Sequence, residues 1–448
     1  MIRVHALYSA PGRHFPVEIV SSILLWLSIP DAVRQRRLSH SFNSLVCSEG
    51  FARRHVAQHN PPIVYCNGYI FLAKQSASIG PHYYLRMLLL ENPTLPPAYA
   101  RAITDALFST ITELYVARLN MLALQNHFIH RFKVIKRLRG YGASSSLELP
   151  TDLGKCETLE NISLTQCNIP GSIPVSLSDL KNLLYLDLSE NCLSGHIPSE
   201  LTLCVKLTHL ILNNNQLYGP IPAEIGNLTA LQILCLHNNE LSGGLPASLS
   251  HCRSLTKLDL SGNSLAGELP WFQNPELSWM SLDHLDMSRN QLSGALPDHL
   301  SAICPSLETL NLSYNRFTKA SIPPAWGNLA HLLELDLACC GIVGAIPEEL
   351  GNLGRLKSLN LGLNGLRGEI PKSFGMLAQL QKLSLNGNCL HGWVPVELEQ
   401  LQSLILANIK TGFGNAGIVT TIPKGVMTDS RLYEFLKNQG FKEAELEE

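Results

Sequence analysis

The spacing LxxLxLxxN recurs ten times in the sequence, and this period constrains the fold more than any other feature. A proline follows each N position seven or eight residues later, and neighbouring copies start 24 to 27 residues apart. A unit of this length cannot bury its own apolar face, so stacked neighbours must complete the core. The N positions are Cys167, Asn191, Asn215, Asn239, Asn263, Asn290, Asn315, Cys340, Asn364 and Asn388.

Residue types assign a place to each position, as the stretch LDLSENCLSGHIPSEL at 186–201 illustrates. Leu186 and Leu188 are separated by one residue, so they point to the same face of a short strand, and Asp187 points to solvent. The asparagine that follows can bond neighbouring backbone groups with both ends of its amide. Cysteine is small and weakly polar, which suits it to replace this asparagine in two repeats.

The extended frame, LxxLxLxxNxLxGxIPxxLxxLxx, resembles the plant-type leucine-rich repeat over about residues 156–404. The resemblance implies an α/β solenoid, a leucine-rich-repeat horseshoe or superhelix of about ten repeats with a parallel concave sheet and irregular or 3₁₀ convex turns. Degenerate capping repeats extend the expected solenoid to residues 132–425. Four cysteines occupy a leucine position of the turns and are predicted to be buried; they are Cys156, Cys204, Cys252 and Cys304.

Charge and composition limit the classes of partner and the cellular compartment that the chain suits. With 34 Lys and Arg against 36 Asp and Glu, the chain has no electrostatic footprint for nucleic acid or an anionic membrane. The apolar run 19–29 is too short to span a bilayer, and Pro30-Asp31 and RQRR follow it instead of a cleavage site. We therefore expect an intracellular protein. In the alternative, the run is a signal, and the sequons at Asn161, Asn227 and Asn311 become glycosylation candidates.

The sequence of residues 1–58 predicts a small helical module before the repeats. The segment 15–46 contains FPVE, an apolar stripe at helical spacing, Pro30-Asp31, RRLS and an aromatic at Phe42. This order resembles an F-box, with Phe15 and Phe42 in place of the usual Leu and Trp. The resemblance implies helix-in-groove docking on the adaptor subunit of a cullin-RING ubiquitin ligase. The implied contacts are Phe15, Pro16, Ile19, Ile23, Leu24, Leu27, Val33 and Leu38. Alternatively, these helices only cap the solenoid.

Residues 59–131 are predicted to form a mostly helical connector. An extended pair is expected in IVYCNGYIFLA, followed by a helix from about Pro97 with Ile103, Leu107, Ile111 and Leu114 at three- and four-residue steps. Residues 426–448 are expected to form a short helix and an acidic tail.

No catalytic, cofactor or metal site is predicted. The pairs His127/His130 and His55/His59 have ligand-like spacing, but no matched thiols or carboxylates accompany them. The sequence also lacks a glycine-rich phosphate loop and a nucleophile elbow, because its glycines belong to the LxG turns.

A protein partner is expected on the concave face, where some residues depart from the consensus. Asp187, Asp259 and Asp336 follow the consensus and are treated as uninformative. Ile211, Cys235 and His237 lie in adjacent repeats and form an apolar candidate spot. An insertion near 271–279 adds Trp271, Phe272 and Trp279. These side chains either pack over the convex edge or form a second contact patch. The candidates are Tyr185, His209, Ile211, Ile233, Cys235, His237, His284, Arg289, Tyr314 and Glu334.

The order of the modules predicts the function. An F-box-like module, a connector and a solenoid together indicate the substrate-recognition subunit of a cullin-RING ligase, which catalyses nothing itself. The alternative is a leucine-rich-repeat scaffold or a receptor-like recognition module without a ubiquitin link.

Overall fold

The computed structural model describes the strands at 63–66, 69–72 and 113–117 and, beyond them, residues 133–142, 148–270, 279–409, 417–424, 426–428 and 430–443. The F-box-like segment, the four histidines of the two metal-like pairs, Trp271 and Phe272 lie outside the described residues. Two compact units divide the chain, Met1–Asn191 and Cys192–Glu448.

The first unit contains a sheet that is parallel except at one edge. Strand β1 pairs antiparallel with β2, as expected for the extended pair, and parallel with β3, and β4, β5 and β7 continue the parallel ladder. Two 3₁₀ turns, Thr151–Lys155 and Val175–Asp179, each follow a proline. The strands are Ile63–Cys66 (β1), Tyr69–Leu72 (β2), Glu113–Ala117 (β3), Arg137–Tyr141 (β4), Asn161–Thr165 (β5), Pro170–Gly171 (β6) and Tyr185–Asp187 (β7).

Strand β3 corrects the predicted helix from about Pro97 at residues 113–117, and the rest of that predicted helix lies outside the described residues. Glu113 pairs with Arg137, and Arg137 pairs with Asn161, so β3 and β4 follow the same 24-residue period as the repeats. A parallel partner satisfies the backbone of this β-prone stretch, and the pairing outweighs its helical spacing. The ladder therefore begins before residue 132, where the solenoid was predicted to start.

The second unit repeats a short strand, a turn, a second short strand and usually a 3₁₀ turn. Its main sheet is parallel throughout, in the order β9-β11-β13-β15-β17-β18-β20-β22-β24, and the second strands form shorter parallel ladders. The main strands are His209–Ile211 (β9), Ile233–Cys235 (β11), Lys257–Asp259 (β13), His284–Asp286 (β15), Thr309–Asn311 (β17), Glu334–Asp336 (β18), Ser358–Asn360 (β20), Lys382–Ser384 (β22) and Leu406–Asn408 (β24). The second strands are Cys192–Gly195 (β8), Gln216–Gly219 (β10), Glu240–Gly243 (β12), Ser264–Gly267 (β14), Gln291–Leu292 (β16), Val343–Ala345 (β19), Gly365–Gly368 (β21), Cys389–Gly392 (β23) and Gly417–Ile418 (β25).

Among the described turns of the second unit, one differs from the rest. A short α-helix, Leu300–Ile303 (α1), stands where the other repeats have a 3₁₀ turn, and the buried Trp326 fills the space beside it, donating its indole N–H to the Pro297 carbonyl at 2.8 Å. Trp279 is fully buried, so it packs in the core and is not part of a contact patch. The 3₁₀ turns are Ser199–Leu203, Ala223–Asn227, Ala247–His251, Pro324–Asn328, Glu348–Asn352, Lys372–Met376 and Val396–Gln400.

A ladder of buried and half-buried asparagines joins neighbouring repeats. Asn290 is typical: its Oδ1 accepts the backbone N–H of Leu265 at 2.9 Å, and its Nδ2 reaches three carbonyls, the longest at 3.2 Å. At Cys340 the thiol reaches the Leu312 carbonyl at 3.1 Å instead. The predicted role of these positions is confirmed. The turn cysteines are buried as predicted, and burial raises the pKa of the Cys252 thiol to about 12.

Helix α2, Arg431–Asn438, lies where a short helix was predicted and packs on β24. Ser430 caps it by accepting the backbone N–H of Tyr433 at 3.1 Å. No helix in the described part of the chain is long and apolar enough to cross a bilayer.

Candidate functional site

The candidate surface of the second unit is the exposed face of its main sheet, which we call the strand face. The middle residue of each main strand is buried, so the residues on either side of it point outward. Because all the strands run in parallel register, equivalent residues form straight rows across the sheet. One row contains Ile211, Cys235, Asp259, Asp286, Asn311, Asp336 and Asn360.

The predicted apolar spot forms at one end of this surface. Ile211 pairs with Cys235 and His209 pairs with Ile233 on the adjacent strands β9 and β11. Cys235 is only 6% exposed, whereas the two isoleucines and His209 are half-buried, so the isoleucines carry most of the accessible apolar area. Burial lowers the pKa of His209, which favours its neutral form.

His237 faces Asp259 on the next strand. Nδ1 of His237 lies 3.0 Å from Oδ2 of the carboxylate, and Oδ1 accepts the Ser261 hydroxyl at 2.7 Å. Burial alone would raise the pKa of Asp259, but the bonds from His237 and Ser261 outweigh it and hold that pKa below its ordinary value. Asp259 is therefore a paired, ionised carboxylate, and a partner gains little by contacting it.

His284 lies on β15, where it pairs in register with Lys257 of β13 and Thr309 of β17. Its pKa is lowered, first by burial and then by the positive charge of Lys257, although Asp259 and Asp286 act in the opposite direction. The imidazole is therefore held in its neutral form, which can both donate and accept a hydrogen bond.

Arg289 and Tyr314 come together at one border of the strand face. The guanidinium carbon of Arg289 lies 4.8 Å from the centre of the Tyr314 ring, within cation–π range. Both residues have left-handed backbone, with φ of 54° and 56°, at a position where Asn or Gly stands in some of the other repeats. The ring remains 45% exposed. This places an oriented aromatic side chain beside the sheet.

The remaining candidates lie apart from this pair. Glu334 is exposed on β18, two residues before Asp336. Tyr185 belongs to β7 of the first unit, where its hydroxyl lies 3.2 Å from Oδ2 of Asp187. The structure thus groups Ile211 with Cys235, His237 with a carboxylate, and Arg289 with Tyr314.

Two acidic residues were missed by sequence reasoning. Asp336 was treated as consensus, and Asp286 was not singled out. What they share is their place in one row of register partners, in which Asp and Asn alternate. This alternation becomes visible only when the repeats are aligned with one another. Among the described residues, no group of three His, Cys, Asp or Glu side chains is arranged to hold a metal ion.

Family models describe the same period. Models of the leucine-rich repeat match residues 157–217, 230–252, 251–268, 281–303, 306–329, 331–353 and 355–377. The repeats are leucine-rich repeats. The leucine-rich-repeat fold is typically a non-catalytic binding scaffold. The sequence has no match among curated proteins.

Solved structures show the same architecture. The crystal structure of a TDR receptor matches with a TM-score of 0.63 and 25% identity, covering 73% of this chain and 56% of the receptor chain. The Arabidopsis receptor kinase HAESA ectodomain, solved with an IDA peptide hormone ligand, matches with a TM-score of 0.52 and 27% identity, covering 72% and 64%. A leucine-rich-repeat protein of Leptospira interrogans is similar in fold, with a TM-score of 0.58, 24% identity and coverage of 74% and 83%. The chain spans a little over half of the first receptor chain.

Proposed function

We propose that this protein is a non-catalytic recognition protein that binds a polypeptide partner on the strand face of its leucine-rich repeats. The observation that carries the proposal is the oriented Arg289–Tyr314 pair beside a row of polar and acidic side chains. Exposed Tyr and Arg are the residue types that most often carry binding energy in interfaces. The peptide-bound HAESA ectodomain supports a polypeptide as the class of ligand.

The strand face is tested by affinity purification from native cells with matched variants of the full chain. We expect the principal co-purifying protein to be lost from the double variant Arg289→Ala, Tyr314→Ala and retained by Arg355→Ala. Arg355 is a suitable control because it is exposed, and its guanidinium lies 2.9 Å from Nδ1 of His331 in the neighbouring repeat. Retention of that protein by the double variant, or its loss from Arg355→Ala as well, would overturn the proposal.

We further propose that residues 15–46 act as an F-box, which makes the protein the substrate-recognition subunit of a cullin-RING ligase. The support is the order of FPVE, the apolar stripe, Pro30-Asp31 and RRLS in the sequence. Wild-type protein is expected to bind the ligase adaptor in a pulldown, and the double variant Leu24→Asp, Leu27→Asp is not. If wild type fails to bind, the ligase role is abandoned and a scaffold or receptor-like recognition module remains.

An intracellular location belongs to the same proposal. Of the three sequons, Asn161 and Asn311 lie on strands β5 and β17, whereas Asn227 ends an exposed turn. In an intracellular protein these sequons stay unmodified. Glycosidase treatment of protein from native cells is then expected to leave its mobility unchanged. A mobility shift that disappears in Asn227→Gln would contradict the intracellular location and favour the receptor-like alternative.

A further inference from the structure

Carboxylates and amides alternate across four neighbouring strands of the strand face. Asp286, Asn311, Asp336 and Asn360 are consecutive register partners on β15, β17, β18 and β20, and we call them the Asp–Asn row. Nδ2 of Asn311 donates to Oδ2 of Asp286 at 3.0 Å, and Nδ2 of Asn360 donates to Oδ2 of Asp336 at 3.1 Å. The amides therefore fix both carboxylates in orientation.

Of the charged side chains in the described ranges, none forms an ion pair with Asp286 or Asp336. Burial raises the pKa of Asp336, and the negative charges of Asp286 and Glu334 raise it further. The nearby guanidinium of Arg289 lies over a tyrosine ring instead. The row thus carries two carboxylates that form no ion pair with the described side chains, and a positive group would complement them.

An exposed aromatic ring lies between the two carboxylates along the array. Tyr314 follows β17, the strand between those that carry Asp286 and Asp336. It comes three residues after Asn311 and is 45% exposed. Next to the row, Ser288, Ser313 and Ala338 are small and at most 5% exposed, so they form a low floor without bulky side chains. A chain crossing the strands can therefore approach the row closely.

The spacing limits what can occupy the surface. Asp286 and Asp336 are two strands apart, which corresponds to about 10 Å at the usual strand separation of ~4.8 Å. One ammonium group cannot contact both carboxylates at that distance. A polyproline II segment rises ~3.1 Å per residue with three residues per turn, so residues i and i+3 share a face about 9 Å apart. Intervening prolines would pack on the tyrosine ring, as in other aromatic-lined grooves.

We propose that the Asp–Asn row binds a polyproline II segment of a partner that carries two Lys or Arg residues three positions apart, one facing Asp286 and the other Asp336. Tyr314 receives the residues between them. This inference rests on the proposed function and names the chemistry of the partner at that surface.

Synthetic peptides of defined spacing test the inference on the full chain. The probe is acetyl-PPKPPKPP-amide, and its controls are PPKPKPPP, with lysines two apart, and a version with both lysines replaced by norleucine. By NMR titration or fluorescence anisotropy, we expect the probe to bind at least fivefold tighter than either control. Equal binding of all three peptides, or no binding of the probe, would overturn the inference.

Substitutions assign the binding to the row. The double variant Asp286→Asn, Asp336→Asn is expected to bind the probe at least fivefold more weakly, whereas Asp298→Asn, on an exposed turn, retains wild-type affinity. Unchanged affinity in the double variant would overturn the inference even if the probe binds. A native partner that needs the Arg289–Tyr314 pair but lacks two such basic residues would overturn it as well, while leaving the proposed function intact.

Discussion

The ladder and the strand face of the second unit differ in how much the residue type at one position varies from repeat to repeat. Asn239 and Asn290 bond their neighbours in the same way, with Oδ1 accepting one backbone N–H and Nδ2 reaching backbone carbonyls. On the strand face, by contrast, one row changes from Ile211 to Asp259 to Asn311. Side chains that satisfy buried backbone groups are constrained by the fold, whereas outward side chains are free to encode a partner.

Removing one ladder amide is expected to have the largest effect on stability. Asn290→Ala leaves the N–H of Leu265 without a partner in a site that is 7% exposed, and it removes one of the bonds to each of three carbonyls. We expect a loss of about 3 kcal/mol, because a buried unsatisfied group costs roughly 1–3 kcal/mol and the lost carbonyl bonds add to it. Urea unfolding followed by circular dichroism measures it.

The control for the ladder is Cys340→Ala, at the equivalent position of another repeat. There the thiol makes only weak bonds to carbonyls, so the expected loss is about 1 kcal/mol. Equal losses at Asn290 and Cys340 would show that packing at this position, and not the amide, stabilises the array.

Backbone contact in the turns gives the next largest effect. A Cβ on Gly327 would lie 2.2 Å from the Glu349 carbonyl oxygen of the next repeat, so Gly327→Ala requires the backbone to move. Ser178, Thr202 and Ser250 occupy the same position in other repeats, which shows that the movement is possible. We expect a loss of about 2 kcal/mol in urea unfolding, within the usual range for overpacking.

Gly354 is the matched control, since a Cβ there would meet no atom within 4 Å. Gly354→Ala is expected to leave stability unchanged or to raise it by a few tenths of a kcal/mol through the unfolded chain. A loss at Gly354 equal to that at Gly327 would show that the close contact is not the cause.

The sequence predicts the ladder and core well because each of those positions has one physical solution that recurs in every repeat. Cys252 could be assigned to the core from its slot alone, and its burial confirms this. Strand β3 could not be assigned in this way. Ile111 and Leu114 are three residues apart, a spacing that an amphipathic helix and an LxxL repeat share, and only the pairing of Leu114 with Leu138 decides between them.

The candidate site was less predictable because its properties depend on neighbours across the sheet. Asp259 and Asp336 occupy the same consensus position, and nothing in either repeat distinguishes them. The difference lies in the partners, which are His237 for Asp259 and Asn360 for Asp336. A departure from consensus, such as Tyr314, was visible in the sequence, but its contact with Arg289 required the structure.

The side chain of Gln439 bonds the backbone at the last strand of the main sheet, β24, where the array ends. Nε2 of Gln439 donates to the Ala407 carbonyl at 2.5 Å and its Oε1 accepts the Ile409 N–H at 2.8 Å, so one side chain replaces a missing strand at these groups. Gln439→Ala is expected to cost about 1.5 kcal/mol and to speed hydrogen exchange at Ile409. Gln402→Ala, on an exposed turn, should change neither, and unchanged exchange in Gln439→Ala would show that water satisfies the edge.

The smallest effects are expected on the strand face, where paired and unpaired carboxylates should respond oppositely to pH. The pKa of Asp259 is lowered from its ordinary value of 3.8, so its ionised form stabilises the fold above that pH, and this contribution is lost as the pH falls through the lowered value. The pKa of Asp336 is raised from 3.8, so its ionised form costs stability above the raised value, and this cost disappears as the pH falls to 3.8. At pH 7, Asp259→Asn should lose about 1 kcal/mol and Asp336→Asn should remain within about 0.5 kcal/mol of wild type.

Urea unfolding of the two variants between pH 7 and pH 3 measures this difference. The gap between Asp259→Asn and wild type should narrow toward pH 3, because protonation removes the same interaction from the wild-type protein. If Asp336→Asn instead loses as much as Asp259→Asn at pH 7, the bond from Asn360 outweighs the cost of the unpaired charge. The strand face would then be optimised for stability like the ladder, and the contrast between the two regions would not hold at this row.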